Sequence, residues 1–143
     1  MKILILNGPN INFLGIREKN IYGTITYQEF INKINEYANN KKITIEIKQS
    51  NHEGVLIDLL QQAHFDENVI GIILNGGGYT HTSIALMDAV ASISKPVIEV
   101  HFSDISKREI YRQHSYLTNV CEKTFKGKGI DSYFEAIDYL INK

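Results

Sequence analysis

Short apolar runs alternate along the chain with longer stretches in which apolar residues recur every three or four positions. Ile3-Leu4-Ile5-Leu6 is an unbroken apolar run closed by Asn7-Gly8-Pro9-Asn10, and it reads as a buried strand. Residues 11–23 show no periodicity and read as a loop. Thr26 and Glu29 have capping-box spacing. Phe30, Ile31, Ile34, Tyr37 and Ala38 then predict a helix that stops at Asn39-Asn40. Ile43, Ile45 and Ile47 alternate with Thr44, Glu46 and Lys48, the pattern of a strand with one wetter face near a sheet edge. Val55, Leu56, Leu59, Leu60 and Ala63 form the stripe of a second helix over about residues 53–65. Val69–Leu74 is apolar throughout, as in a central parallel strand covered on both faces. After Asn75-Gly76-Gly77-Gly78 a third helix is predicted from about Ser83 to Ser94, and Pro96 closes it. Val97–Val100 is a fourth strand, and Ser106–Arg112 has room for one or two helical turns. Asn119–Lys126 is read as a fifth strand. Ile130–Ile141, with Tyr133, Phe134, Ile137, Leu140 and Ile141, is read as a last helix.

This alternation predicts an α/β protein with a flavodoxin-like, doubly wound, five-stranded parallel sheet and helices on both faces, because right-handed crossovers lay helices on the sheet. No repeat or Pro/Gly/Ser linker interrupts it, so residues 1–143 are expected to form a single domain. Fifteen Lys and Arg against sixteen Asp and Glu give a net charge of −1, which leaves no electrostatic footprint for nucleic acid or an anionic membrane. The longest apolar runs fall far short of the roughly 20 residues of a membrane span. Cys121 is the one cysteine, so no internal disulfide or cysteine-based zinc site can form. The expected setting is a reducing compartment, most simply the cytoplasm.

Ligands of open α/β sheets bind beyond the carboxyl ends of the strands, and three of those ends are unusually polar here. Strand one ends in Asn7-Gly8-Pro9-Asn10, strand three in Asn75 and three glycines followed by His81, and strand four in Glu99-Val100-His101-Phe102-Ser103. The glycine run lacks the spacing of a phosphate or dinucleotide loop, and is open to reading as a tight turn or as an anion-approach site. Glu99 and His101, two apart on a strand, leave the same face, where a carboxylate can hold one ring nitrogen and free the other for proton transfer. Arg17 and Tyr22 share the long first loop. A guanidinium near an acidic group favours its ionised form, and loops of this length often close over substrate. Arg112 can recognise an oxyanion or hydroxyl, or belong to a solvated charge run with Lys107 and Arg108. Asp88 reads as solvent-facing or as a subunit contact, and His52, His64 and His114 are assigned nothing.

Two flavodoxin-like rivals fit less well. A phosphoacceptor receiver needs acidic residues where Asn7, Asn10 and Asn75 stand. A flavin carrier needs a Ser/Thr-rich loop where Gly8-Pro9-Asn10-Ile11-Asn12 stands. A flavin or phosphate-binding module without catalysis is therefore the alternative reading.

The ordered set of motifs resembles type II 3-dehydroquinate dehydratase. The resemblance is carried by Leu6–Asn10, Leu14-Gly15, Arg17-Glu18, Tyr22-Gly23, Gln49–Asn51 with Glu53-Gly54, Asn75–Gly78 with Thr80–Ser83, Glu99–His101 with Ser103, and Arg112 with His114-Ser115. One departure is Lys19-Asn20-Ile21 in the first loop, where relatives often carry a proline and an acidic residue. The resemblance implies anti elimination of water from 3-dehydroquinate through an enolate to give 3-dehydroshikimate, in the shikimate pathway or in quinate breakdown. It implies no metal and no organic cofactor. It implies Tyr22 as the base, Arg17 as the cation that keeps Tyr22 ionised, Asn10 as holder of a water at the enolate oxygen, and His101 as the acid, oriented by Glu99. Asn75, His81 and Arg112 would bind ring hydroxyls, and the amides of Phe102 and Ser103 the carboxylate. Asp88 would reach a neighbouring subunit's site. The implied assembly is a homo-oligomer, a dodecamer built from trimers.

Overall fold

The computed structural model describes all 143 residues. Five parallel strands, β1 (Lys2–Asn7), β2 (Thr44–Gln49), β3 (Val69–Asn75), β4 (Val97–His101) and β5 (Lys123–Lys126), form one sheet in the order β2-β1-β3-β4-β5. Six helices accompany them: α1 (Lys19–Tyr22), α2 (Tyr27–Asn40), α3 (Glu53–Phe65), α4 (Ile84–Ser92), α5 (Ile110–Gln113) and α6 (Asp131–Ile141). No helix is long and apolar enough to cross a membrane.

Alternation along the strands builds the two cores. Ile3 and Ile5 of β1 pack with Phe30, Ile34 and Ala38 of α2 and with Tyr133, Ile137 and Leu140 of α6. Leu4 and Leu6 point to the other face, against Leu56 and Leu60 of α3 and Leu86 and Val90 of α4. The wet-faced strand is indeed an edge, β2. The capping box starts α2 as its spacing predicts: Glu29 N–H donates to Thr26 Oγ1 at 3.1 Å, and Thr26 N–H to Glu29 Oε1 at 3.2 Å. Ser83 caps α4 by accepting from Leu86 N–H at 2.8 Å.

Two expectations need correction. The fifth strand begins at Lys123, not Asn119. The preceding residues turn instead, with Val120 and Cys121 N–H both donating to the Leu117 carbonyl, and Ser115 Oγ accepting from Leu117 and Thr118 N–H. Residues 11–23 are not wholly irregular. They contain a 3-10 turn at Ile11–Phe13 and the single turn α1, whose flanks Glu18 (φ 37) and Gly23 (φ 87) are both left-handed.

The strand order reverses between β1 and β3, and a crevice opens there at the carboxyl edge. Asn7 lies opposite Asn75 in the register, and Gly8 N–H donates to the Asn75 carbonyl at 2.8 Å. A Cβ on Gly8 would lie 2.5 Å from the Gly76 carbonyl oxygen, so only glycine lets the two strand ends approach this closely.

Candidate active site

A cavity of about 140 Å³ sits at this crevice. It is smaller than the roughly 300–1,000 Å³ of pockets that take drug-sized ligands, so it suits a compact ring. Asn10, Arg17, Tyr22, Asn75, His81, His101, Phe102, Ser103 and Arg112 all line it, together with Arg108. Three guanidinium groups and no carboxylate face the space, a charge balance that favours an anionic occupant.

Tyr22 closes one side from the last position of α1. Its hydroxyl accepts from Arg108 Nη1 at 2.6 Å and from Arg17 Nη2 at 3.4 Å, with both guanidinium carbons over its ring, 5.3 and 4.5 Å from the centroid. Arg17 Nη2 is shared with the Glu18 carboxylate at 2.6 Å. That pairing holds the Glu18 carboxyl below its ordinary value. Arg108 is thus the more closely placed cation on the Tyr22 oxygen. The sequence reading missed it, because beside Lys107 and Glu109 it looked like part of a solvated run. Its Nη2 is buried in the cavity wall without a partner.

Strand β4 ends in His101, which lines the cavity and is 5 % exposed, two positions after Glu99, which is fully buried. The two side chains share a face, as their spacing requires, and His101 Nε2 meets Glu99 Oε2 at 2.7 Å. Glu99 does not touch the cavity; it stands behind His101. Ser115 Oγ donates to its Oε2 at 2.6 Å, and Thr118 and Thr124 Oγ1 donate to its Oε1 at 2.6 and 2.9 Å. Burial opposes ionisation of Glu99, but the bond to His101 and the two hydroxyls of Ser115 and Thr118 more than offset it and hold the carboxyl at about 2. An ionised Glu99 fixes a proton on Nε2 and leaves Nδ1 as the ring nitrogen available for transfer. Thr124 lies directly opposite Glu99 in the β4–β5 register, a position that could have been inferred once a buried glutamate demanded partners.

His81 ends the 3-10 turn Gly77–His81, and its Nδ1–H donates to the His114 carbonyl at 2.8 Å. Burial pushes its pKa down, so a neutral ring presents Nε2 as an acceptor. Asn75 is buried at the end of β3, and its Oδ1 accepts from Gly77 N–H at 3.2 Å. Asn10 adopts φ 68, and its N–H donates to Asn51 Oδ1 at 3.0 Å. Arg112 on α5 has its Nε 3.0 Å from Glu109 Oε2. The glycine run forms a strand-to-3-10 turn, as its tight-turn reading expects, and Gly77 and Gly78 line the cavity wall. Asp88 is not brought to this cavity; it is exposed on α4. No group of three or more His, Cys, Asp or Glu side chains is placed to hold a metal.

A family model described as dehydroquinase class II matches residues 1–141. A 3-dehydroquinate dehydratase of Caldicellulosiruptor bescii is 46 % identical over 136 residues, covering 95 % of this chain and 93 % of that protein. The 3-dehydroquinate dehydratase of Fusobacterium nucleatum is 46 % identical over 143 residues, covering 99 % and 97 %. The crystal structure of a type II dehydroquinase from Butyrivibrio crossotus superposes with a TM-score of 0.96 at 51 % identity, covering 99 % of this chain and 97 % of that one.

Proposed function

The chain belongs to the class II dehydroquinase family and dehydrates 3-dehydroquinate, and we propose that the cavity at the β1/β3 crevice does so with Tyr22 as base and His101 as acid. The observation that carries this reading is the Tyr22 hydroxyl set between two guanidinium groups in the same cavity as the His101–Glu99 pair.

The chemistry sets three needs. A proton must leave the carbon next to a ketone, negative charge must be held as the enolate forms, and a hydroxyl must depart as water. Arg108 and Arg17 stabilise negative charge on the Tyr22 oxygen, and that oxygen takes the C2 proton. The electron pair moves onto the ketone oxygen, where a water held by Asn10 stabilises it. The enolate then collapses, the C1–O bond breaks, and His101, carrying a proton on each ring nitrogen in this step, gives the one on Nδ1 to the departing hydroxyl. Tyr22 then releases the C2 proton to solvent and Nδ1 takes one up, which resets the site. The products are an enone, in which the new C1=C2 double bond is conjugated with the original ketone, and one water. An anti elimination needs the base and the acid to reach opposite faces of the substrate ring, and Tyr22 and His101 both line the cavity from separate elements, α1 and β4. Asn75, the Nε2 of His81 and Arg112 bind ring hydroxyls, and the backbone at Phe102 and Ser103 receives the carboxylate. The proposal includes a metal-free reaction, a cytoplasmic location, and a homo-oligomer, a dodecamer of trimers, in which exposed Asp88 reaches a neighbour's cavity. A flavin or phosphate module has no support: the matching family model is a dehydroquinase, and the relatives named above are 3-dehydroquinate dehydratases.

Purified protein treated with a chelator should convert 3-dehydroquinate to a product with enone ultraviolet absorbance. No absorbance at high protein concentration would overturn the reading.

A further inference from the structure

Behind the cavity runs a chain of buried hydrogen bonds that reaches from the glycine turn through α6 to the start of α2. Gly77 N–H donates to Asn75 Oδ1 at 3.2 Å, and Asn75 Nδ2 donates to Tyr133 Oη at 2.9 Å. The Tyr133 hydroxyl donates to Asn7 Oδ1 at 2.7 Å, and Asn7 Nδ2 donates to Tyr27 Oη at 3.2 Å. Asn7 and Tyr133 are fully buried, and Asn75 nearly so.

The direction of this chain is set at one end. A backbone N–H only donates, so Gly77 requires the oxygen of Asn75 to face it. That turns Nδ2 of Asn75 toward Tyr133, whose oxygen must then accept. The single Tyr133 proton is left for Asn7, whose oxygen faces it and whose amide nitrogen faces Tyr27. Flipping Asn75 would oppose its NH₂ to the Gly77 N–H and its oxygen to a Tyr133 lone pair, two repulsive contacts in a dry site. One Nδ2–H of Asn75 remains unused, on a side chain that lines the cavity.

We propose that Tyr133 is a positioning residue for substrate binding: through its hydroxyl it locks the amide of Asn75 with a donor turned to a substrate hydroxyl. This rests on the reading of Asn75 as a substrate contact. Tyr133 never meets the substrate. It is held by Phe30 and Phe102, with ring centroids 4.8 and 5.2 Å away, so the aromatic core of one sheet face fixes an amide at the sheet's edge.

The experiment is steady-state kinetics on Tyr133→Phe, which keeps the ring and removes the hydroxyl. KM is expected to rise roughly 3–10-fold, the loss of about one neutral hydrogen bond, with kcat changed by less than about twofold. Asn75→Ala should raise KM, and should add little in the Tyr133→Phe background because both changes remove one contact. Folded Tyr133→Phe with lowered thermal stability and wild-type KM, beside a raised KM in Asn75→Ala, overturns the positioning role alone. Wild-type KM in Asn75→Ala overturns the substrate contact on which it rests. If Tyr133→Phe does not fold, Asn7→Ala tests the same lock. It removes the acceptor of the Tyr133 proton, which can then turn toward Asn75 and oppose its Nδ2–H, so KM should rise with Tyr133 in place, and a wild-type KM in folded Asn7→Ala overturns the proposal.

Discussion

Arg108→Gln removes a full positive charge 2.6 Å from the Tyr22 oxygen while keeping a planar, hydrogen-bonding side chain. A hydrogen bond to a charged group contributes about 1.5–3 kcal/mol, and each 1.36 kcal/mol is tenfold in rate. If that interaction is made in full only when the Tyr22 oxygen is anionic, kcat should fall about 10–150-fold. The loss is not larger because Arg17 remains, although at 3.4 Å and partly engaged by Glu18. Arg108 lines the cavity rather than the core, so circular dichroism and thermal unfolding should stay close to wild type. The assay is the initial rate of enone absorbance at saturating 3-dehydroquinate. Arg108→Lys should recover only part of the rate, since an ammonium keeps the charge and loses the fork. A folded Arg108→Gln enzyme within about twofold of wild-type kcat would refute the reasoning that this guanidinium supports Tyr22.

Other outcomes follow from the same geometry. The Glu99 carboxyl is held at about 2 against an ordinary 4.5, so its contribution to stability is fully present above about 4.5 and is lost as pH falls toward 2. Glu99→Gln should therefore flatten the acid limb of urea stability against pH, and should cost about 3 kcal/mol near neutrality because His101 loses its buried partner. An unchanged acid limb would remove Glu99 from that role. Gly8→Ala places a methyl 2.5 Å from the Gly76 carbonyl oxygen, so it should cost about 1–3 kcal/mol in thermal unfolding and raise KM by parting the ends of β1 and β3.

Much of the architecture was legible because burial writes itself into periodicity. The apolar runs of β1 and β3, the alternation of edge strand β2, and Thr26 with Glu29 are local signals, and each matches the structure. What failed locally was decided by partners far along the chain. Arg108 lies 86 positions from Tyr22, and nothing in Lys107-Arg108-Glu109 marks one cation for the cavity. The roles of Ser115, Thr118 and Thr124 became visible only when the fold gathered them on Glu99, and residues 117–121 turn through hydrogen bonds to the Leu117 carbonyl and Ser115 Oγ where a strand was expected from Asn119. Asn10, Asn75 and His101 stand at or just beyond unusually polar strand ends and line one cavity with Tyr22, whose place in the first loop gave no comparable signal and was marked by the resemblance. Asp88 is the exception. Its implied role needs a second copy of the chain, and on α4 it is exposed and does not line its own cavity.

Exchange of the substrate C2 hydrogen with solvent deuterium, followed in Tyr22→Phe and His101→Ala, tests the proton transfer itself. With Tyr22 as base, Tyr22→Phe loses both exchange and dehydration, whereas His101→Ala loses dehydration and retains exchange. Exchange at the wild-type rate in Tyr22→Phe would contradict the account and give the proton to another group in the cavity.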